Sequence, residues 1–451
     1  MANSRVNRRD LTIGALATTV FTGTVASGRP VRAGSGTPAP STPGPLVGTP
    51  VGTPIATAPG WLVAADNGSA QLHILSLSDL ALVVSLGGVT INDHAGFLPL
   101  TGGQLLFVDT TANALALLDL AAEGGPTVTQ RVPVPAEVSH IAVDPELRYV
   151  AVGSSDPAQT ITLISLDDFS ITALAPEAGE VGLALGSEPL TIFHRNDVTS
   201  QFETILIEDA LAGDPRLSST VPTGAFGHGE AISHTLAKIV TLSDDGVDIV
   251  SFSGADLTFE QTVPWDTDGL AGARGYFCRL NADQTRLISY IANRAEGQPW
   301  AEWPNDFYSI DLETGEVLRA PLAPGYVYRF AMGPERGLFF HLNPAGDHAL
   351  IVDVDPASDG FGQTVATIPL PALANAAPAD GEPWDGEARV TAMTPDGTTG
   401  FITQGGEGVI HVIDMASGQL TGQISTPSSL TAGGYLIAIQ PDAGLIDTIG
   451  R

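Results

Sequence analysis

The chain has almost no cysteine. Its one thiol, Cys278, has no partner for an internal disulfide, and a cysteine-rich metal or redox centre is excluded. Basic residues are scarce as well: 19 Lys and Arg stand against 50 Asp and Glu, a formal net charge of -31. A field of that sign repels nucleic acid and anionic membrane surfaces, so neither is expected as a partner, while cations are drawn in. The same charge also serves simply to keep an exported protein soluble. Aromatic residues make up 6% of the chain and charged residues 15%, and no apolar run reaches the length of a comfortable membrane span. Glycine, with 51 residues, and proline, with 33, are abundant beside a hydrophobic fraction of 43%. That combination supplies many turns around an ample core, and helix signals are few.

Residues 1–33 are not expected to belong to the fold. Asn7-Arg8-Arg9-Asp10-Leu11 precedes a Gly/Ala/Thr-rich apolar run from Leu11 to Ala26, with no acidic residue after Asp10. This is the form of a twin-arginine export signal, with Thr24-Val25-Ala26 or Val31-Arg32-Ala33 as the cleavage site. The run of about 16 residues is short and weakly hydrophobic for a membrane span, so cleavage is expected rather than a retained anchor, and the mature protein is placed outside the cytoplasm. A protein exported by this route folds first, so that cargo bound in the cytoplasm can travel with it. Residues 34–60 carry no charge and no histidine; so polar and Pro-rich a segment cannot offset its ordering entropy by burial and reads as a flexible tether.

From Trp61 to the end the sequence repeats. Asp93-His94-Ala95-Gly96-Phe97-Leu98-Pro99 returns in altered form as Ser139-His140-Ile141-Ala142-Val143-Asp144-Pro145, each with a histidine five residues before a proline that ends a short apolar strand. Related units are anchored near 189, 235, 282, 334, 395 and 441, a period of about 45 residues that suits propeller blades better than separate domains. The fold class expected is all-β: a single β-propeller over 61–451, with eight blades favoured and seven as the alternative, since the units near 189 and 235 match least. The opening unit shows three strands, and Gly434–Asp442 supplies one strand with almost nothing after it. Pairing the two completes a blade and closes the ring, which removes the exposed edges a linear array would leave.

In a propeller the innermost strand of each blade lines the central channel. His94, His140 and His228 each fall where an innermost strand begins, so the ring is expected to bring together three imidazoles far apart in sequence. His194, His341 and His348 are placed at or near the following hairpins, and His73 and His411 in mid-strand positions of the third strand, where packing or a satisfied hydrogen bond is the better reading. Three imidazoles and a carboxylate meet the tetrahedral preference of zinc. Asp93 and Glu230 are the candidate carboxylates, Glu230 the stronger because it lies two residues from His228 on a strand and so faces the same side. No local zinc motif such as H-E-x-x-H is present, so the inference rests on shared register, and for each histidine a solvated channel-mouth residue is the alternative. Arg274, Tyr328 and Arg329 also fall near the channel mouth and are expected to pair with neighbouring acids rather than to bind an anion.

The export signal, the Pro/Gly-rich tether and a propeller carrying Asp93-His94-Ala95-Gly96-Phe97, His140 and Gly227-His228-Gly229-Glu230-Ala231 together resemble the AztD-type zinc metallochaperones. The resemblance implies an extracytoplasmic, monomeric, non-enzymatic protein that binds Zn2+ through His94, His140 and His228 and delivers it to the solute-binding protein of an ABC-type zinc importer. A His-bearing mobile segment is missing from the tether, which is a departure from that pattern. Two other classes stay open on the residues alone. A metal-free propeller scaffold of the YVTN-repeat kind would ignore chelators, and a metal-dependent propeller lactonase or other hydrolase would need an open coordination position and a general base.

Overall fold

A computed structural model describes residues 59–154, 161–174, 181–265, 273–294 and 297–441. The expected signal, and all but the end of the expected tether, lie outside them. The described residues form an eight-bladed β-propeller of antiparallel sheets. Blade 1 consists of Trp61–Asp66, Gln71–Ser76 and Leu82–Gly87, with Tyr435–Ile439 as its innermost strand. The register Trp61↔Ile439, Val63↔Ile437 and Ala65↔Tyr435 closes the ring as the sequence predicts. Blades 2 to 8 follow at 97–133, 138–174, 181–222, 230–264, 273–321, 330–369 and 391–425. Blade 6 has five strands, because both Ala273–Arg274 and Cys278–Leu280 pair with Arg286–Asn293.

The strand periodicity explains how blades stack. On Trp61–Asp66, Leu62 and Ala64 pack with Phe401 and Ile410 of blade 8, while the alternate residues Val63 and Ala65 pack with Leu105 and Phe107 of blade 2. A middle strand is therefore apolar on both faces, and in Trp61–Asp66 every residue after Trp61 is buried. Innermost strands such as Phe97–Pro99, Phe330–Met332 and Thr391–Met393 are short and wholly buried, whereas outermost strands such as Thr127–Pro133 alternate toward solvent. The third-strand endings turn on an aspartate. Asp311 Oδ1 accepts the backbone N–H of Glu313 at 3.0 Å and of Thr314 at 2.9 Å, and Asp414 Oδ1 accepts that of Ser417 at 2.6 Å. The turn then passes through Gly315 and Gly418 at φ of 75° and 64°, left-handed backbone that glycine adopts without strain.

The two longer repeats hold irregular chain. Trp300–Glu302 forms a 3-10 turn between the second and third strands of blade 6. The segment between blades 7 and 8 is fastened by the fully buried Arg389, which donates through Nε to Asp347 Oδ2 at 2.9 Å, through Nη1 to the Thr403 carbonyl at 3.2 Å, and through Nη2 to the Pro371 carbonyl. Among the described residues no helix is long and apolar enough to cross a membrane.

Candidate functional site

His94 lies in the turn that leads into Phe97–Pro99, His140 inside Val138–Val143, and His228 two residues before Glu230–Ser233, so blades 2, 3 and 5 each carry one imidazole to the channel. The three side chains line one cavity that opens to solvent. The His94 ring centroid is 5.1 Å from that of His140 and 5.4 Å from that of His228, with interplanar angles of 90° and 78°. Imidazoles held by one tetrahedral ion, with metal–nitrogen distances of about 2.0–2.1 Å, have centroids about 5.2 Å apart. The two separations from His94 are of that size. Among the described residues, however, no group of three or more His, Cys, Asp or Glu side chains is arranged so that it could hold a metal ion.

Two of the rings, those of His94 and His228, are hydrogen-bonded from behind. His94 Nδ1 donates to the Ser139 carbonyl at 2.8 Å, which places the proton on Nδ1. His228 is hydrogen-bonded to the backbone of Tyr276. Burial, reinforced by the nearby Arg195 and Arg274 guanidinium groups, holds the His228 pKa well below the usual histidine range, so this imidazole is neutral at pH 7. His140 Nδ1 lies 3.8 Å from Glu230 Oε2. A carboxylate, a carbonyl or another acceptor behind the ring is the usual support of a metal-ligating histidine.

Glu230 is buried and does not line the cavity; its other oxygen forms an ion pair with Arg195 Nη1, and Arg195 Nε donates to Asp197 Oδ1 at 2.6 Å. Two glycines make room for this pair. A Cβ at Gly182 would lie 2.2 Å from Glu230 Oε1, and one at Gly227 would lie 2.2 Å from Arg195 Cδ. A third glycine, Gly96, has φ of 65°, and its missing Cβ would lie 2.3 Å from the Tyr435 hydroxyl. Arg195, Tyr276, Arg279 and Tyr435 are site residues that repeat register alone does not single out; the glycines at 96, 182 and 227 were the available signal.

The remaining expected residues divide. Asp93 is exposed, and its carbonyl accepts from Arg329 Nη2 at 3.1 Å. Arg274 pairs with Asp244 as expected, while Arg329 and Tyr328 line the cavity. His194 is wholly buried inside the second strand of blade 4, and its Nε2 lies 3.3 Å from Glu203 Oε2. His341 and His348 face each other across a hairpin of blade 7. His73 is satisfied by Ser85 and Ser428, and His411 by Gln404.

No protein-family model matches the chain, and no curated protein sequence does. Solved structures do match. This chain is similar to apo AztD from Citrobacter koseri, with a TM-score of 0.61, 11% identity, and coverage of 85% of this chain and 98% of that one. A second Citrobacter koseri AztD structure aligns with a TM-score of 0.61 and 12% identity over 86% of this chain and 100% of the other. The dihydro-heme d1 dehydrogenase NirN, in complex with DHE, aligns with a TM-score of 0.59 and 14% identity over 81% of this chain and 73% of that one. At these identities the likeness is one of fold.

Proposed function

We propose that the protein is a zinc-binding metallochaperone that works outside the cytoplasm by binding and release rather than by catalysis. The observation that carries this reading is the convergence of His94, His140 and His228 from three blades on one cavity, with the His94 ring 5.1 and 5.4 Å from the other two. His94, His140 and His228 are the donors. Glu230 acts as the carboxylate that orients His140, and exposed Asp93 stands at the rim, where it draws cations in. Zn2+ is cargo here. An acidic surface raises its local concentration, and an acceptor such as the solute-binding protein of an ABC-type zinc importer removes it by substituting its own ligands one at a time. The AztD-like fold and the resemblance of the short histidine motifs support the reading. The expected twin-arginine signal supports a place of work outside the cytoplasm and a cargo loaded before export.

A second reading has a specific observation behind it. The arginine- and tyrosine-bearing side of the same cavity suits a ring ligand with carboxylate arms, and one fold neighbour is a dihydro-heme d1 dehydrogenase. The test is the metal content and visible spectrum of the chain from Gly34 to Arg451, purified without a histidine tag, beside a variant with His94, His140 and His228 changed to Ala. About one zinc per chain, lost in the variant, is expected. No metal in either protein and no uptake in a competitive zinc titration would sink the chaperone reading, and an intense visible band would turn attention to the second.

A further inference from the structure

We propose that Arg294, which directly follows the second strand of blade 6, anchors a second binding site, one that takes a small organic molecule by a single carboxylate. The inference stands apart from the zinc reading and uses none of the three histidines. Arginines elsewhere in this acidic chain have a carboxylate partner: Arg131, Arg286, Arg319, Arg336 and Arg389 each hold one within 3.3 Å. Arg294 departs from that pattern. Among the described residues it makes no ion pair, and its Nε and Nη2 are buried with no hydrogen-bond partner. These two nitrogens carry the parallel N–H bonds of one edge of the guanidinium, the edge that a planar carboxylate meets with both oxygens. A buried charge with an open fork is costly, and an anion in that fork removes the cost.

The surroundings hold the guanidinium without neutralising it. Its carbon lies 4.7 Å from the Tyr276 ring centroid, 5.5 Å from that of Trp303 and 5.6 Å from that of Tyr326. Such contacts orient a guanidinium and leave its charge in place. Tyr290 adds a third donor: it is wholly buried, its hydroxyl has no partner, and it lies close enough to Arg294 to feel its charge. Burial pushes the Tyr290 and Tyr326 phenols well above the usual tyrosine range, so both stay protonated and neither supplies a negative charge. Buried donors left without partners are met by water or by a ligand, and water satisfies the donors but not the charge. The neighbouring Arg274 is already engaged, through Nη1 with Asp244 and through Nη2 with the Phe226 carbonyl. One guanidinium among three aromatic rings therefore suits a monoanion with an organic body better than phosphate, which carries more charge than a single fork balances.

The two Arg294 nitrogens are shut off from solvent while the residue as a whole is half-buried, so a ligand enters as a neighbouring ring turns aside. The experiment is calorimetric titration of benzoate into the full mature chain with no metal added, beside benzamide, which has nearly the same shape and no charge. Benzoate is expected to bind about tenfold or more tightly than benzamide, the difference a charged bidentate pair makes. Arg294→Lys, which keeps the charge and loses the fork, and Arg294→Gln, which loses both, are each expected to weaken benzoate binding about tenfold or more. Tyr290→Phe removes only the hydroxyl: benzoate binding should fall several-fold, while the melting temperature without benzoate should not fall, since no hydrogen bond is lost. Equal affinity for benzoate and benzamide, benzoate binding that survives Arg294→Gln, or no benzoate binding at all overturns the inference. Inorganic phosphate that binds as tightly as benzoate overturns the assignment to an organic carboxylate. The comparison of benzoate with benzamide uses the unaltered protein, so misfolding of a variant cannot hide the result. No step depends on zinc, and a protein that takes up no zinc overturns the chaperone reading while leaving this inference standing.

Discussion

Glu230→Gln separates orienting from ligating roles for the buried carboxylate. The substitution preserves shape and removes one negative charge from a place where the side chain is 3.8 Å from His140 Nδ1 and paired with Arg195. If Glu230 orients His140, the metal keeps all its donors and loses only the support behind one of them. Substitutions of that kind typically lower metal affinity about 10–100-fold, which is about 1.4–2.7 kcal/mol. The fold should suffer less than the about 3–5 kcal/mol seen when a buried ion pair is broken outright. Arg195 keeps its 2.6 Å bond to Asp197, and the new amide oxygen still accepts from its guanidinium. A loss of about 1–3 kcal/mol is the corresponding expectation for weakening one charged hydrogen bond. The assays are competition against a chromophoric chelator for zinc affinity, and thermal unfolding of the metal-free protein for stability. Unchanged zinc affinity would refute the orienting role. A loss as large as that caused by His140→Ala would instead return Glu230 to the inner coordination sphere, as its position two residues from His228 suggests in sequence.

Two further predictions concern the scaffold. Ending the chain at Gly434 removes Tyr435–Ile439 and with it the burial of Leu436, Ile437 and Ile439. At about 1.5–3 kcal/mol per buried large apolar side chain this is about 5–9 kcal/mol, comparable with the whole stability of many domains, and it opens edges on both sides of the gap. The truncated protein should aggregate or unfold without cooperativity, and an unchanged melting transition would refute ring closure as a source of stability. His194, pushed down to about 4 by complete burial, stays neutral in the fold while the unfolded chain protonates it near the ordinary 6.5. Its contribution is therefore full above pH 6.5 and lost as pH falls toward 4, by up to about 3 kcal/mol. Glu203 beside it is pushed up by its own burial and takes up a proton in the fold, which offsets part of that slope. Comparison with His194→Gln isolates the histidine: the variant's stability should fall less steeply between pH 6.5 and 4.5, and parallel curves would refute the assignment.

The sequence makes the ring legible because a propeller repeats one packing problem eight times. Short apolar strands bounded by Asp/Gly turns at a period of about 45 residues admit few solutions, and three strands at one end with one at the other leave only ring closure. Even the two weak units, near 189 and 235, proved to be true blades; their marker proline is displaced or absent, yet the alternation that packs Phe193 and Phe202 with Ile239 and Val250 is intact. The histidines at 94, 140 and 228 were legible for the same reason, since equal register around a ring means nearness at its axis. His194 shows the limit of that argument. A shift of one position on a β-strand sends a side chain to the opposite face, and its place inside Leu190–Asn196 aims it between blades rather than at the channel.

What register cannot supply is the identity of the surroundings, because these come from absences as much as from side chains. Glu230 reads as a ligand from its spacing to His228, and only the missing Cβ atoms at Gly182 and Gly227 let it swing back against Arg195. Composition misleads in the same way. A net charge of -31 argues for an acidic metal site, yet the cavity lining contains no Asp or Glu. The physical reason is that long-range attraction and local coordination make different demands. Surface carboxylates raise the concentration of a cation near the channel at little cost, whereas carboxylates inside it would hold the ion by strong, charge-assisted bonds that an acceptor must break. Under the proposed function, imidazole donors without an inner carboxylate would hold a cargo through contacts that an acceptor can exchange one at a time, which is what delivery requires and storage does not.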